Sequence, residues 1–445
     1  MKLNNIANYK NKDVGILGTG LSGLAAAKVL LNSKANVFAF DDKKVKPSLL
    51  PKSMWINYEK WPWKDLSTLV VSPGIPTKNK IKHRAIKLAL ENNIEIINDI
   101  DLFVETKPKA KIVGITGTNG KSTTVALLYH ILNFNKIKCV IGGNFGFPAC
   151  EIVDPGENGV IILELSSYQL DGTKKLTLDL ASIINITPDH LDYHETFKKY
   201  ENCKLKLLDF LNDNGVIVFD ENNTTLNKLF DIKKYKKIKF EKIKALNCKN
   251  IANHNIFLKG KHNCINASIA MSLAKNLKVN KDLIQLAINS YNGLPHRLEP
   301  LYTSENIKII NDSKSTNGAS TAAALCTFNN IFWIVGGQPK IEGIGKAKLH
   351  LDNVIEAFLI GKSMNFFLKN ISKYNDKILL NKCRTLENAV NLAIKKAQSS
   401  NIKSYVILLS PSAASFDQFK NFEDRGNKFK KIINDQLLAG TFKCL

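Results

Sequence analysis

The stretch KIVGITGTNGKSTTVALL, residues 111–128, constrains the fold of this chain more tightly than any other. An apolar run of strand character enters a glycine turn, and a lysine, two hydroxyl residues and a helical pattern follow. This is the order of a nucleotide phosphate cradle, in which a strand leads through a loop to the free amides of a helix N-terminus. The usual template requires Gly-x-x-x-x-Gly-Lys-Ser/Thr, and Ile115 stands where its first glycine should be. The loop therefore closes on a shorter unit, Gly117-Thr118-Asn119-Gly120-Lys121-Ser122, with Thr123 next in the helix. Its physics survives the change. Gly117 and Gly120 let backbone amides approach phosphate oxygens, Lys121 supplies a point charge, and Ser122 offers a hydroxyl to Mg²⁺. A plain glycine turn would not need Lys-Ser-Thr at the helix start, so an ATP site is expected.

Downstream residues fit the same reading. GVIILELSS (159–167) has the pattern of a buried strand, and Glu164 takes the place of the acid that holds metal in phosphate-loop enzymes. INITPDHLDYH (184–194) groups Asp189, His190, Asp192 and His194. Its His-x-x-x-His spacing is compatible with zinc, but magnesium with mostly oxygen ligands suits a phosphate site better. Asp192 and His194 are read as structural. GKHNCINASIA (260–270) opens a helix with Asn263 and Asn266 on one face. Their amides suit an adenine edge and serve equally well as caps or solvent-facing groups.

Two further units flank this one. In DVGILGTGLSGLAAAKVLLNSKANVFAFDD a strand runs into Gly18-Thr19-Gly20-x-x-Gly23, an alanine-rich helix, and a second strand ending at Asp41 and Asp42. This is the dinucleotide fingerprint in its proper context, with an acid for a ribose hydroxyl. STLVVSPGI then brings another strand and a Ser-Pro-Gly turn to the same edge. The charged link VETKPKAK (104–111) separates this unit from the phosphate loop. After GLPHRLE (293–299), strands again alternate with helical patterns, and polar residues gather where strands end. They are Asp312, Ser313, Lys314 and Thr316, then Lys340, then Ser410, Ser412 and Ser415. Open α/β sheets bind ligands at those ends.

The 445 residues exceed one ordinary core. Lys and Arg exceed Asp and Glu by 63 − 39 = 24. The lysines are spread along the chain, and the densest run, DIKKYKKIKFEKIK (231–244), alternates like an exposed strand and contains no arginine; a solvated surface is favoured over a nucleic-acid face. Eight scattered cysteines form no Cys-x-x-Cys pair, which suggests reduced thiols. With no signal-type start and no long apolar run, the expectation is a soluble cytoplasmic protein that inserts in no membrane.

The set GITGTNGKST, GGNFG, ELSSYQL, ITPDHLDYH, GKHNCINA, GLPHRLE, NDSKSTN and LLSPSAASFDQFKNFEDRGNKF resembles the Mur ligases of peptidoglycan synthesis, in family order and over nearly the whole chain. Within the family, GTGLSG and DQFKNFEDRGNKF are most similar to the D-glutamate-adding members. The resemblance implies three α/β domains: a Rossmann-like unit (1–97), a central phosphate-loop ATPase unit with a mainly parallel sheet (98–296), and a Rossmann-like C-terminal unit (297–445). It implies a monomer that joins D-glutamate to UDP-N-acetylmuramoyl-L-alanine through an acyl phosphate and a tetrahedral intermediate.

It also implies residue roles. Lys121, Glu164, His190 and Lys204 serve catalysis. Ser122, Glu164, His190 and a carbamylated Lys204 hold two Mg²⁺ ions. The UDP end falls to Gly18, Thr19, Asp41, Asp42, Lys43, Ser72 and Gly74, so the first unit holds uridine diphosphate rather than NAD. Asn144, Ser166 and Gln169 face the muramoyl-alanine end, and Asn263, Asn266, Arg297 and Asp312 the adenine nucleotide. Lys314, Thr316, Lys340, Ser415 and Phe422 take D-glutamate, where two cations and two hydroxyls suit a dicarboxylate. Departures from the family pattern are small: Cys203 where alanine is common, Ser315 in the Asp-Ser-Lys run, and Asp42-Lys43 in place of threonine and arginine.

Overall fold

The computed structural model describes residues 5–43, 50–77, 82–230, 235–245, 255–340 and 342–440. The chain divides into two compact units, Met1–Ala245 with Ile265–Ile288, and Leu246–Cys264 with Asn289–Leu445.

The first unit contains two sheets. Strands β1 (Asp13–Leu17), β2 (Asn36–Phe40), β3 (Leu66–Val71) and β4 (Glu95–Ile97) form a parallel sheet in the order β2-β1-β3-β4. The order reverses between β1 and β3, which makes a crevice at their carboxyl ends. The second sheet comprises β5 (Lys111–Thr116), β6 (Cys139–Gly143), β7 (Val160–Glu164), β8 (Leu178–Ile183), β9 (Leu211–Asp220) and β10 (Lys239–Ile243). All its neighbours are parallel, in the order β10-β9-β8-β5-β7-β6. β5 and β7 read as continuous apolar runs because helices cover both faces of a parallel sheet. The lysine-rich run 231–244 ends in edge strand β10, where the exposed side chains suit an uncovered edge; residues 231–234 lie outside the described ones.

The second unit carries β11 (Glu299–Thr303), β12 (Ile307–Asn311), β13 (Ile331–Gly336), β14 (Gln338–Pro339), β15 (Val354–Ile360), β16 (Leu379–Arg384), β17 (Tyr405–Leu409) and β18 (Ala413–Ala414). Six of these form the sheet β11-β12-β17-β13-β15-β16, parallel except for β11, while β14 and β18 pair by themselves, antiparallel. Its core is dense: Trp333 is fully buried, and its indole N–H donates to Ser410 O at 2.8 Å.

Within the first unit, the sheets are tied by buried polar groups rather than by the link 104–111 alone. Asn98 caps the helix Asp99–Val104 and donates through its amide to Gln169 O (2.8 Å) and Thr173 Oγ1 (3.0 Å). Asp101 Oδ1 accepts from the amides of Lys174 (2.7 Å) and Lys175 (2.9 Å). Asp99 accepts from Gln169 Nε2 at 3.2 Å, and burial pushes both acids above the usual carboxylate range.

The glycine turn of the first sheet depends on contact between its ends. A Cβ at Gly23 would lie 2.0 Å from Gly18 O, so the helix Leu21–Asn32 packs directly on the turn. Gly23→Ala is therefore expected to cost about 1–3 kcal/mol of stability in denaturant unfolding. At Gly74 a Cβ would meet nothing within 4 Å, so Gly74→Ala is expected to stay within about 0.5 kcal/mol of wild type. Equal losses at the two positions would refute the close-packing account.

Candidate active site

The glycine loop leaves β5 at the middle of the second sheet and enters the helix Lys121–Phe134. Gly120 caps that helix with φ 88° and ψ −14°, a left-handed conformation that favours glycine. A Cβ there would also lie 2.5 Å from Asn266 Oδ1. Asn266, expected at the nucleotide, thus packs directly on the loop. The segment after β8 fixes the loop's shape. Thr118 N donates to Asn185 O (2.9 Å), and Asn185 Oδ1 accepts from Asn119 N (3.0 Å) while its Nδ2 donates to Asn119 O (3.1 Å). The Thr118 hydroxyl lies 2.8 Å from Tyr200 OH and accepts from Thr187 N at 3.0 Å.

Two lysines converge on this loop. Lys121 Nζ donates to Gly117 O (2.8 Å) and Thr118 O (3.0 Å). Lys204, on the helix Phe197–Leu205, donates through Nζ to the same Gly117 O (3.0 Å) and to Thr116 Oγ1 (3.3 Å). Lys204 is 1% exposed, and its amine lies 4.9 Å from the Tyr200 ring centroid. Burial first, and then the neighbouring Lys121 charge, hold the Lys204 amine well below the usual lysine range.

Glu164 ends β7 beside this pair. Asn144 Nδ2 donates to Glu164 Oε1 at 2.6 Å, and Asn144 N donates to Glu164 O at 2.9 Å. Glu164 Oε2 is buried with no hydrogen-bond partner, a free carboxylate oxygen of the kind a cation takes. Among the described residues no three His, Cys, Asp or Glu side chains group to hold a metal by themselves. The donor set fits magnesium, which is commonly held by one or two protein ligands together with phosphate oxygens. His190 has φ 53°, with Nδ1 2.7 Å from Tyr168 OH and Nε2 3.6 Å from Asp189 Oδ2. His194 is buried among Tyr168, Tyr193 and Tyr200, and burial pulls its imidazole down to about 4; it packs as a neutral ring. Ser166 and Gln169 form a capping box on the helix Ser167–Gly172, so the Gln169 amide bonds both to Ser166 and to Asp99.

At the first sheet, Asp41 Oδ2 accepts from Thr19 N (2.7 Å) and Thr19 Oγ1 (3.2 Å), and Asp41 Oδ1 accepts from Lys43 N (3.0 Å). Burial raises this carboxyl, but those donors outweigh it and leave it below the usual range. Ser72 Oγ donates to Gly18 O at 2.8 Å, closing the turn from the β3 side. Asp42, next to it, has Oδ1 3.3 Å from His83 Nε2. Thr19, Asp41, Lys43, Gly18 and Ser72 are thus brought together.

In the second unit, Asp312 Oδ2 accepts from Ser410 Oγ (2.9 Å) and Oδ1 from Leu298 N (3.2 Å), while burial pushes its carboxyl up to about 7. Arg297 lies close enough to oppose that rise. Lys314 Nζ sits 3.6 Å from the Phe422 ring centroid, a cation–π contact between two residues expected at the amino acid. Ser415 is buried, Thr316 and Lys340 are half-buried, and Asn263 Nδ2 donates to Lys259 O at 3.1 Å. Sequence reading did not single out Asn185, Tyr168, Tyr200 or Arg425. Tyr200 carried a usable signal, since it lies one helical turn before Lys204.

Residues 115–274 match the family model described as the Mur ligase middle domain. The chain is 35% identical to the UDP-N-acetylmuramoylalanine–D-glutamate ligase of Rickettsia prowazekii (strain Madrid E), over 95% of this chain and 98% of that protein. It is 36% identical to the protein of the same description from Zymomonas mobilis subsp. mobilis, over 96% and 98%. Among solved structures, UDP-N-acetylmuramate-alanine ligase MurC from Thermotoga maritima matches with a TM-score of 0.57 at 15% identity, covering 95% of this chain and 99% of that one. MurF ligase from Thermotoga maritima in complex with ADP matches with a TM-score of 0.57 at 13% identity, covering 98% of each. The expected three-domain α/β fold is the fold of these ligases. Full-length identity above three in ten with curated relatives settles membership: the chain belongs to the Mur ligase family, among the UDP-N-acetylmuramoylalanine–D-glutamate ligases.

Proposed function

We propose that the chain joins D-glutamate to UDP-N-acetylmuramoyl-L-alanine at the expense of ATP, in the cytoplasm and as a monomer. The observation that carries this reading is the pair of lysine amines on Gly117 O, beside a glutamate with an unpartnered buried oxygen. The Lys121 cation on this loop calls for anions, and the phosphates of ATP supply them.

The chemistry has a physical order. A carboxylate is a poor acyl donor, because its leaving group would be oxide. Transfer of the γ-phosphoryl group to the L-alanine carboxylate gives an acyl phosphate, whose phosphate leaves readily. The D-glutamate amine attacks the carbonyl carbon, a tetrahedral intermediate forms, and phosphate departs. Lys121 offsets charge during phosphoryl transfer, which is largely a matter of positioning and electrostatics. Magnesium, when bound through Ser122 and Glu164, adds neutralisation of phosphate charge; a second ion would draw on His190 and a carbamylated Lys204. Asn144 orients Glu164 through Oε1 and so leaves Oε2 for the cation.

The remaining roles follow the family pattern. The turn Gly18-Thr19, with Asp41, Asp42, Lys43, Ser72 and Gly74, takes the UDP end, and Asn144 and Ser166 take the muramoyl-alanine end. Gln169 acts there through the capping box, since its amide is already bonded. Asn263, Asn266, Arg297 and Asp312 take the adenine nucleotide; Lys314, Thr316, Lys340, Ser415 and Phe422 take D-glutamate. Domain boundaries are proposed at 97/98 and 296/297.

Phosphate release from ATP, Mg²⁺ and UDP-N-acetylmuramoyl-L-alanine, measured across a panel of amino acids, tests the assignment. D-Glutamate should stimulate release well above L-lysine and diaminopimelate; parity among them would sink it. Lys204→Ala should lose about 10²-fold or more in kcat, the scale of a removed charge-positioning group. Short carboxylates should restore part of that activity, and an unaffected or unrescued variant would overturn the carbamate role.

A further inference from the structure

Arg425 is 1% exposed, one of the largest fully buried side chains of the molecule, and nothing in the proposed chemistry uses it. It projects from the first turns of the helix Phe422–Leu438 toward the carboxyl edge of the C-terminal sheet. Its Nε donates to Ser313 Oγ (3.0 Å), and its Nη2 donates to Ser313 O (2.8 Å) and Ala413 O (3.1 Å). The Ser313 hydroxyl in turn donates to Phe422 O at 2.9 Å. One guanidinium therefore joins the loop after β12, the strand β18 and the start of the helix.

Those three segments carry the residues assigned to the amino acid. Ser313 immediately precedes Lys314 and lies three positions before Thr316. Ala413 lies two positions before Ser415, and it pairs with Pro339, which precedes Lys340. Phe422 is the residue whose carbonyl Ser313 holds and whose ring lies 3.6 Å from Lys314 Nζ. A simple helix anchor would not account for this choice of side chain. Burying a guanidinium carries a desolvation cost that a packed apolar side chain avoids, and Nη1 here is buried with no hydrogen-bond partner among the described residues. What an apolar anchor cannot do is hold two carbonyls and a hydroxyl at once through one rigid fork.

We propose that Arg425 is the positioning residue of the acidic amino-acid subsite, holding the β12 loop, β18 and the Phe422 turn in the register that lets Lys314, Thr316, Lys340 and Ser415 meet one dicarboxylate. This rests on the D-glutamate reading of that subsite. The guanidinium acts through the loops and touches no substrate. Burial lowers it only to about 10, so it remains charged at neutral pH.

The test compares wild type with Arg425→Lys and Ser313→Ala in the full chain, measuring KM separately for ATP, UDP-N-acetylmuramoyl-L-alanine and D-glutamate. Lysine keeps the charge but loses the planar fork, and the KM for D-glutamate should rise about tenfold with kcat and the other two KM values within about twofold. Ser313→Ala removes only the hydroxyl between Arg425 and Phe422, and should raise the same KM by about threefold to tenfold. It keeps the inference testable if Arg425→Lys does not fold. Unchanged D-glutamate KM in a folded variant, or all three KM values rising together, overturns the proposal. Wild type without D-glutamate-stimulated phosphate release would instead fail the subsite reading, and this inference with it.

Discussion

The carbonyl oxygen of Gly117 accepts from both Lys121 and Lys204, and much of the structure around the second sheet is arranged to make that possible. Lys121 reaches it from the helix that follows the loop. Lys204 comes from 87 residues further along, buried against Tyr200, whose hydroxyl also meets Thr118. Burial first, and then the neighbouring Lys121 charge in that low-dielectric setting, weaken the hold of the Lys204 amine on its proton. The loop is thus built for anions before any anion arrives. Asn185 and Thr187 hold it in that shape through backbone and side-chain bonds at once.

Glu164 completes the balance of charge. It sits where β7 ends, next to the loop because β5 and β7 are sheet neighbours with Ile115 opposite Glu164. Asn144 reaches it because β6 pairs with β7 on the other side. A short stretch of sheet edge therefore brings together the lysines, the acid and the amide, although they are spread over residues 121–204. Parallel order is what permits this, since every strand of the sheet delivers its loop to the same end.

The phosphate loop, Glu164 and the dinucleotide-type turn were legible in the sequence because each is local, with residue types and spacing inside one strand-turn-helix unit. Lys314 and Phe422 were assigned to one ligand only through the family pattern, and their contact, across more than a hundred residues of chain, came from the structure. The same distance hid Arg425, whose bonds to Ser313 span 112 positions. In the sequence it reads as one more charged residue near a helix start. Asn185 was hidden differently: it lay inside a recognised motif, yet amide-to-backbone bracing leaves no signature in spacing. Gln169 shows the converse, where a residue flagged for substrate is already committed to a helix cap and a buried acid.

Asp99 and Asp101 give the link at 104–111 a meaning that its proline and charges do not suggest. Both acids lie on the N-terminal side of the link, and their donors, Gln169 and the Lys174 and Lys175 amides, lie beyond it. Cutting the polypeptide at that tether would take the Gln169 amide from Asp99 and the two lysine amides from Asp101, donors that the folded unit supplies. The helix Asp99–Val104 therefore belongs with the phosphate-loop sheet although it precedes the link, and a cut that keeps both acids with these donors has to fall before Asn98 rather than at the tether.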